Sequence, residues 1–232
     1  YRTSYYSRNW GFCITDNEKK KLKNGNYKIT IDAKHFNGKL SYGEILIKGK
    51  SKNEIFLSTY ICHPSMANNE LSGPVVTMAL INYFKKKNLS KTLRFIFIPE
   101  TIGSITYLQK NLENLKKNVI AGYNLTCIGD DRMHSCMLSK YKNKLADRSL
   151  IKAYKLLNLK YKIYSFLNNG SDERQYNFPG IDLPIASIFR SKYGTFPEYH
   201  TSEDDFSLVT YNGLKGGFEV AKTVIELVLK QT

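Results

Sequence analysis

The stretch ICHPSMANNELSG, residues 61–73, decides the interpretation of the fold. It follows the apolar, β-rich run IFLSTYI (55–61) and leads into PVVTMALINYF (74–84), whose apolar residues recur with helical period. A strand therefore passes through a polar loop, which holds His63, into a helix. Loops at the carboxyl ends of strands are where α/β proteins build their sites.

The same pattern continues along the chain, where apolar runs end in charged or metal-competent segments: PETIGS, CIGDD, GSDERQY and PEYHTSEDD. Alternation and apolar runs predict strands over residues 27–33, 41–47, 54–62, 92–98, 119–129, 161–167 and 183–189. Helical patterns cover residues 16–23, 71–87, 104–117, 145–158 and 213–230. This order predicts an α/β fold with three layers, in which a mainly parallel, mixed central sheet lies between helices.

Length and composition favour one soluble domain over residues 1–232, which we expect to be a fragment of a longer chain. No run approaches the ~18 apolar residues of a membrane span. The net charge of +15 comes mostly from scattered lysines, so we expect no nucleic acid and no membrane partner. The four cysteines form no CxxC pair, which favours a reduced, cytoplasmic protein.

Two features near the start of the chain, the aromatic residues within 1–13 and His35, do not indicate a definite function. The aromatic residues within 1–13 (YRTSYYSRNWGFC) either line a pocket or pack over the sheet edge. His35, in the turn HFNGK, is expected to be an ordinary surface histidine.

The candidate chemistry is that of a metal site. His63 and His200 both follow strands, and neutral imidazoles together with carboxylates suit zinc, which in catalytic sites takes about three protein ligands plus water. The candidate oxygen ligands are Glu100, Asp130, Asp172 and the pair Asn69–Glu70. One carboxylate must stay off the metal to accept a proton, and Glu100, behind a proline at a strand end, is the best placed.

Each of these residues has a simpler explanation when it is taken alone. His63 precedes a proline and fits a turn, Asp130 and Asp131 fit a helix N-cap, and Asp204 and Asp205 fit solvated charges. Their recurrence at successive strand ends favours the metal site.

The order HPSMANNELSG, PETIGS, NLTCIGDD, GSDERQY and EYHTSEDD resembles the co-catalytic zinc aminopeptidase superfamily, which also includes glutaminyl cyclases. More closely, YRTSYY…WGFC, ICHPSMANNELSGP, SDERQY and RSKYG…PEYHTS resemble an aminopeptidase-like family found near bacterial surface-polysaccharide genes. The resemblance covers almost the whole chain. It implies a zinc-aminopeptidase-like fold and a larger domain, with further segments before and after the part seen here.

The resemblance assigns His63 and His200 as metal ligands and Glu100 as the general base. It also exposes departures. Thr101 replaces a ligand glutamate, and Asn69 replaces the bridging aspartate, although a neutral amide bridges two cations poorly. The remaining ligand aspartate falls on Thr126 or, if strand ends are aligned, on Asp130. One zinc ion, held by His63, His200 and a carboxylate such as Asp130, is therefore favoured over two, and an empty, degenerate site stays possible.

The stretch SDE matches a segment that lies beside metal and substrate in the superfamily, so Asp172 and Glu173 are expected there, with Asp172 orienting a ligand. Arg174, Arg190 and Lys192 either hold a substrate carboxylate or phosphate or form surface ion pairs. Tyr193 is assigned to the same substrate-binding group.

Together these features predict a zinc-dependent hydrolase of aminopeptidase type, which cleaves an amide or peptide bond of a small-molecule or peptide substrate. The substrate is an N-terminal amino acid, or an amide on a sugar precursor, as the genes near that family suggest. The alternative is a non-catalytic binding module that kept the fold and lost the metal. The oligomeric state is not predicted.

Overall fold

The computed structural model describes residues 9–34 and 36–231. The predictions for residues 1–8 and for His35 therefore lie outside the described residues. The described chain divides into two compact units, with the boundary between Lys39 and Leu40.

The first unit contains one short helix, α1 (Asp16–Lys21). Thr15 caps it reciprocally, because the Thr15 hydroxyl accepts the Glu18 N–H while the Glu18 carboxylate accepts the Thr15 N–H. The strand predicted over residues 27–33 is wrong, since none of these described residues is in a strand. Alternation alone does not make a strand, which needs a hydrogen-bonded neighbour, and Tyr27, Ile29 and Ile31 stay exposed.

The second unit is built around one sheet. Among the described residues it has seven strands: β1 (Gly43–Ile47), β2 (Ser51–Tyr60), β3 (Lys91–Ile98), β4 (Val119–Leu125), β5 (Ser135–Met137), β6 (Lys162–Tyr164) and β7 (Ile185–Phe189). Their order is β1-β3-β2-β4-β7-β5-β6. The four central strands, β3, β2, β4 and β7, are parallel. β1 and β5 run antiparallel to their central neighbours, and β6 is parallel to β5, so the sheet is mixed.

Helices cover both faces of this sheet. They are α2 (Ser72–Phe84), α3 (Ile102–Asn118), α4 (Leu145–Leu156), the one-turn α5 (Glu173–Tyr176) and α6 (Tyr211–Leu229). Neighbouring residues of β2 show the two layers: Ile55 packs in the core beneath α2, α4 and α6, whereas Phe56 packs in the core beneath α3 and α5. The predicted three-layer α/β class is confirmed.

Several boundaries differ from the predicted ones. The strand predicted over 119–129 ends at Leu125, and that over 161–167 shrinks to β6, where a 3₁₀ turn, Phe166–Asn168, begins two residues later. The three residues of β5 were not predicted. Such short strands pair over only three residues, which is too few for a period in the sequence to reveal.

The organising loop enters α2 through a π-helical turn, Ala67–Leu71. The start of α2 lies against the ends of β2 and β4, and a Cβ on Gly73 would lie 2.5 Å from the Leu125 carbonyl oxygen and still nearer the Thr59 hydroxyl. Only glycine permits this approach. The contact holds the loop that carries His63 against the sheet.

Candidate metal and catalytic site

The site lies where the central strands end. Since β2, β3, β4 and β7 are parallel, the residues that follow them emerge at one edge of the sheet. His63 follows β2, Glu100 follows β3, Asp130 follows β4, and residues 190–193 follow β7. The structure therefore places most of the predicted residues at one edge, although it gives them different partners.

His63 and His200 form the centre of the site. Their rings meet edge to face, with 4.7 Å between centroids. Tyr199 stacks on His200 at 4.0 Å with an interplanar angle of 16°. Partial burial lowers the pKa of both imidazoles, and the charge of His200 lowers that of His63 further. Both rings are thus neutral near pH 7, the form that binds metal.

Glu70 is a carboxylate close to His63. The possible ligand atoms of Cys62, His63 and Glu70 all lie within 4.8 Å of one another. The Glu70 carboxylate accepts hydrogen bonds from the backbone N–H of Cys62 and from its thiol, whose Sγ lies 3.7 Å from Oε2. Burial raises the pKa of Glu70 to about 7. In the sequence analysis Glu70 was a candidate ligand only as one of the pair Asn69–Glu70. Its position seven residues after His63, in the same loop, was the sequence feature that could have indicated its place in the site.

Asn69 lies in the same π-helical turn as Glu70, and its side-chain oxygen has no hydrogen-bond partner among the described residues. The Asp204 carboxylate accepts the backbone N–H groups of Asn68 (2.5 Å) and Asn69 (2.9 Å), which fixes the turn. The side-chain oxygen of Asn69 is buried, and no described group donates a hydrogen bond to it. A buried acceptor without a donor is costly, and a cation or an ordered water would satisfy it.

Asp130 is engaged elsewhere. Its fully buried carboxylate accepts four hydrogen bonds: from the Asn68 side chain (3.1 Å), the Arg132 backbone (3.1 Å) and the backbone and hydroxyl of Ser191 (2.8 Å each). These bonds tie the loops after β2, β4 and β7 together. Its assignment as a metal ligand stays a prediction, and the geometry favours Glu70 for that position.

Glu100 is half-buried and held at one oxygen. The Ser171 hydroxyl donates to its Oε1 at 2.6 Å. Burial raises the pKa of Glu100, as does the negative charge of Glu173, while Ser171 and the charge of Arg174 oppose the rise. Burial raises the pKa of the Cys62 thiol, and the negative charges of Glu70 and Glu100 raise it further.

Asp172 lies behind Glu100 with one oxygen lacking a hydrogen-bond partner. Its Oδ1 accepts the Thr101 N–H and the Ser104 hydroxyl, each at 2.8 Å. Oδ2 is buried without a donor among the residues described. Burial and the charge of Glu100 raise the pKa of Asp172 to about 8. Thr101 adopts a φ of 63° here, which is rare for a β-branched residue and turns its N–H toward Asp172.

Glu173 and Tyr193 form a buried pair. The Tyr193 hydroxyl donates to Glu173 at 2.7 Å, and the same carboxylate oxygen accepts the N–H groups of Gly170 and Ser171 at 3.0 Å each. This pair positions the loop that carries Ser171 and so supports Glu100.

The three cationic residues assigned to substrate binding lie in different environments. Arg190 is buried, donating to the Asp130 carbonyl oxygen at 2.7 Å and contacting His134. Lys192 is buried with its ammonium 3.7 Å from the centre of the Tyr193 ring, and burial lowers its pKa. Arg174 alone is exposed.

The donor set fits zinc. The ligand atoms of Cys62, His63 and Glu70 lie close together, and the ring of His200 faces that of His63. Imidazole nitrogen, carboxylate oxygen and cysteine sulfur are the ligand types that zinc takes. The buried side-chain oxygen of Asn69, in the turn that follows His63, has no hydrogen-bond donor among the described residues. Two histidines and one carboxylate supply ligands for one ion.

Comparison with known proteins agrees with this fold. A family model described as a domain of unknown function (DUF4910) matches residues 17–231. A Clostridium acetobutylicum protein, provisionally named as a polysaccharide biosynthesis protein with an aminopeptidase-like domain, is 40% identical over 228 residues. The match covers 98% of this chain and 51% of that protein, so the chain spans about half the length of this relative.

Solved structures give the same result. A crystal structure from C. acetobutylicum, provisionally described as a peptidase, has a TM-score of 0.91 at 38% identity and covers 97% of this chain and 53% of its own. The zinc aminopeptidase BSAP of Bacillus subtilis has a TM-score of 0.70 at 17% identity (81% and 50% covered). A Porphyromonas gingivalis glutaminyl cyclase has 0.64 at 14% (82% and 77%). The resemblance and the zinc-aminopeptidase-like fold expected from the sequence are confirmed.

Proposed function

We propose that this chain, which belongs to the family described as a domain of unknown function (DUF4910), is a metal-dependent hydrolase of aminopeptidase type. It cleaves an amide or peptide bond. The observation that carries this proposal is the pair of facing imidazoles, His63 and His200, at the carboxyl edge of an aminopeptidase-like sheet. The ligand atoms of Glu70 and His63 lie within 4.8 Å of each other, and Glu100 follows β3, the strand next to β2.

We assign one zinc ion to His63, His200 and Glu70. The Cys62 thiol lies close to His63 and Glu70, and Asn69, whose buried side-chain oxygen has no described hydrogen-bond donor, is proposed as a further donor. Asp130 braces the surrounding loops. A bound zinc ion lowers the pKa of water and polarises a carbonyl group.

Glu100 is the proton carrier in this proposal. Ser171 holds Oε1, so Oε2 takes the proton from the attacking water and passes it to the leaving nitrogen. Burial raises the pKa of Glu100 and so makes the carboxylate a stronger base. The Glu173–Tyr193 pair keeps the Ser171 loop in place, and Asp172 holds Thr101, directly after Glu100.

The proposed substrate is an N-terminal amino acid of a peptide, or an aminoacyl or acyl-amide group on a sugar precursor. The second choice is supported by the relative's name, which refers to polysaccharide biosynthesis. We propose no nucleic-acid or membrane partner; among the described residues no helix has the length and apolarity to cross a bilayer. Cytoplasm is the proposed location, supported by the free thiols of Cys62, Cys127 and Cys136.

The competing function is a binding module that has lost the metal. Asn69 and Thr101 support it, because both replace acidic residues that the wider superfamily uses as ligands. The neutral imidazole pair supports the hydrolase.

Elemental analysis of purified protein separates the two. We expect about one zinc per chain in the wild type, since the site offers one set of ligands, and loss of that zinc in the His63→Ala/His200→Ala variant. His134→Ala is the matched control, because His134 contacts Arg190 rather than the histidine pair. Absence of metal from the wild type after incubation with zinc would establish the binding module instead.

A further inference from the structure

A second feature lies beside α5, where Arg174 forms part of its wall. It is a cavity of about 450 Å³, which we call the α5 cavity. Its walls include Lys140, Lys142, Phe166, Leu167, Arg174 and Phe178. None of these residues except Arg174 belongs to the site described above.

The cavity carries uncompensated positive charge. Lys140 is paired with Asp182, so it adds little net charge. Lys142 and Arg174 form no ion pair with any described carboxylate. Two cationic side chains at one concave surface attract an anion, and a doubly charged phosphate matches them better than a carboxylate does.

The opposite part of the wall is apolar and exposed. Leu167 is 90% exposed and Phe178 57% exposed, whereas Phe166 is partly buried and packs against a small hydrophobic cluster that includes Tyr193. Exposed apolar side chains that rim a concave surface are typical of ligand sites. The cavity therefore suits a ligand that has both a phosphate and a planar or apolar part.

Arg174 links the cavity to the proposed active site. Its N–H donates to the Ser171 carbonyl oxygen at 3.1 Å, and the hydroxyl of Ser171 binds Glu100. Burial raises the pKa of Glu100, and the charge of Arg174 opposes that rise. Arg174 thus lines the cavity and lies three residues after Ser171, whose hydroxyl binds Glu100.

We propose that the α5 cavity binds a phosphate ester, with the phosphate between Lys142 and Arg174 and the planar or apolar group against Phe166, Leu167 and Phe178. It would anchor a phosphorylated substrate whose amide lies at Glu100. This role rests on the proposed hydrolase function, whereas binding of the ester to the cavity does not require metal or turnover.

Phenyl phosphate is the probe, titrated by calorimetry into metal-free protein at ~0.15 M salt, because ionic strength screens non-specific attraction. We expect saturable binding that Lys142→Gln/Arg174→Gln weakens at least tenfold. Lys85→Gln/Lys86→Gln removes the same charge from exposed positions at the end of α2 and should leave affinity within twofold. Phe178→Ala should weaken phenyl phosphate but not inorganic phosphate.

Absence of saturable binding, or equal weakening by both double variants, would overturn the proposal. The test is independent of the metal analysis. Binding that needs Lys142 and Arg174 in a protein that takes up no zinc would keep the cavity and remove the hydrolase.

Discussion

The rings of His63 and His200 contact each other edge to face, with 4.7 Å between their centroids and 67° between their planes. His63 lies in the loop after β2, whereas His200 lies in the long loop after β7. Asp204 joins these loops by accepting the N–H groups of Asn68 and Asn69. These hydrogen bonds hold the two loops that carry the histidines against each other.

The first prediction concerns Tyr199, which stacks on His200. Tyr199→Ala should lower zinc affinity about tenfold, because residues that orient a ligand contribute on the order of 10- to 100-fold to metal affinity. Competition with a chromophoric chelator measures this. Tyr211→Ala, which removes an exposed ring, is the control and should bind zinc as the wild type does. Equal affinity in both variants would show that the backbone alone orients His200.

The second prediction separates base from ligand at Glu100. Glu100→Gln keeps the size and the acceptor for Ser171 but cannot take a proton, so hydrolysis of aminoacyl p-nitroanilides should fall by about 10²- to 10⁴-fold. Zinc content should stay at the wild-type level. Glu113→Gln, at an exposed position of α3, is the control. Loss of zinc together with activity would make Glu100 a metal ligand rather than the base.

The third prediction concerns pH and the buried carboxyl of Asp172. Its pKa is about 8 in the fold and 3.8 ordinarily, so between these values the unfolded chain loses a proton that the folded chain keeps. Asp172 therefore costs stability progressively as the pH rises from about 4 to 8. This contribution is about 1.4 kcal/mol per pH unit.

Asp172→Asn should remove that slope and be more stable than the wild type near pH 8, as measured by urea unfolding between pH 5 and 8. Asn can still accept from Thr101 and Ser104. Asp16→Asn, on the exposed face of α1, should leave the slope unchanged. An unchanged slope in Asp172→Asn would mean that Asp172 is ionised and that its Oδ2 has a cationic partner.

The sequence predicted the sheet well because its central strands are long, apolar runs. It missed β5, which is three residues long, and it predicted a strand over 27–33 from alternation that no described neighbour completes. Whether a segment forms a strand depends on the neighbouring strand that it pairs with, and a local sequence pattern carries no information about that neighbour.

The candidate site followed the same rule. The sequence singled out His63, Glu100 and His200 because each follows a strand or lies in a recognisable motif, and their roles stay predictions. The contacts of Asp130 depend on partners that are distant in sequence. Asp130 accepts from Ser191, and Arg190 is committed to the Asp130 carbonyl oxygen. No spacing in the sequence reveals these bonds, which the order of β4 and β7 creates.

The last prediction tests a charge network that joins β1, β3 and β2. Arg94 binds the buried carboxylate of Glu54 through two hydrogen bonds, of 2.6 and 2.8 Å, and also contacts Glu44 and Tyr107. Arg94→Leu leaves Glu54 buried without its cation, so we expect a loss of about 3–5 kcal/mol in the free energy of unfolding.

Arg94→Leu/Glu54→Leu should recover part of that loss, because it removes the stranded charge as well. Urea unfolding of the wild type, both single variants and the double variant gives the coupling energy. Lys20→Leu, which removes a cation from an exposed ion pair with Asp16, should change stability by less than about 1 kcal/mol. If the losses of the two single variants simply add in the double variant, Arg94 and Glu54 stabilise the sheet separately, and the network does not hold β3 to β2.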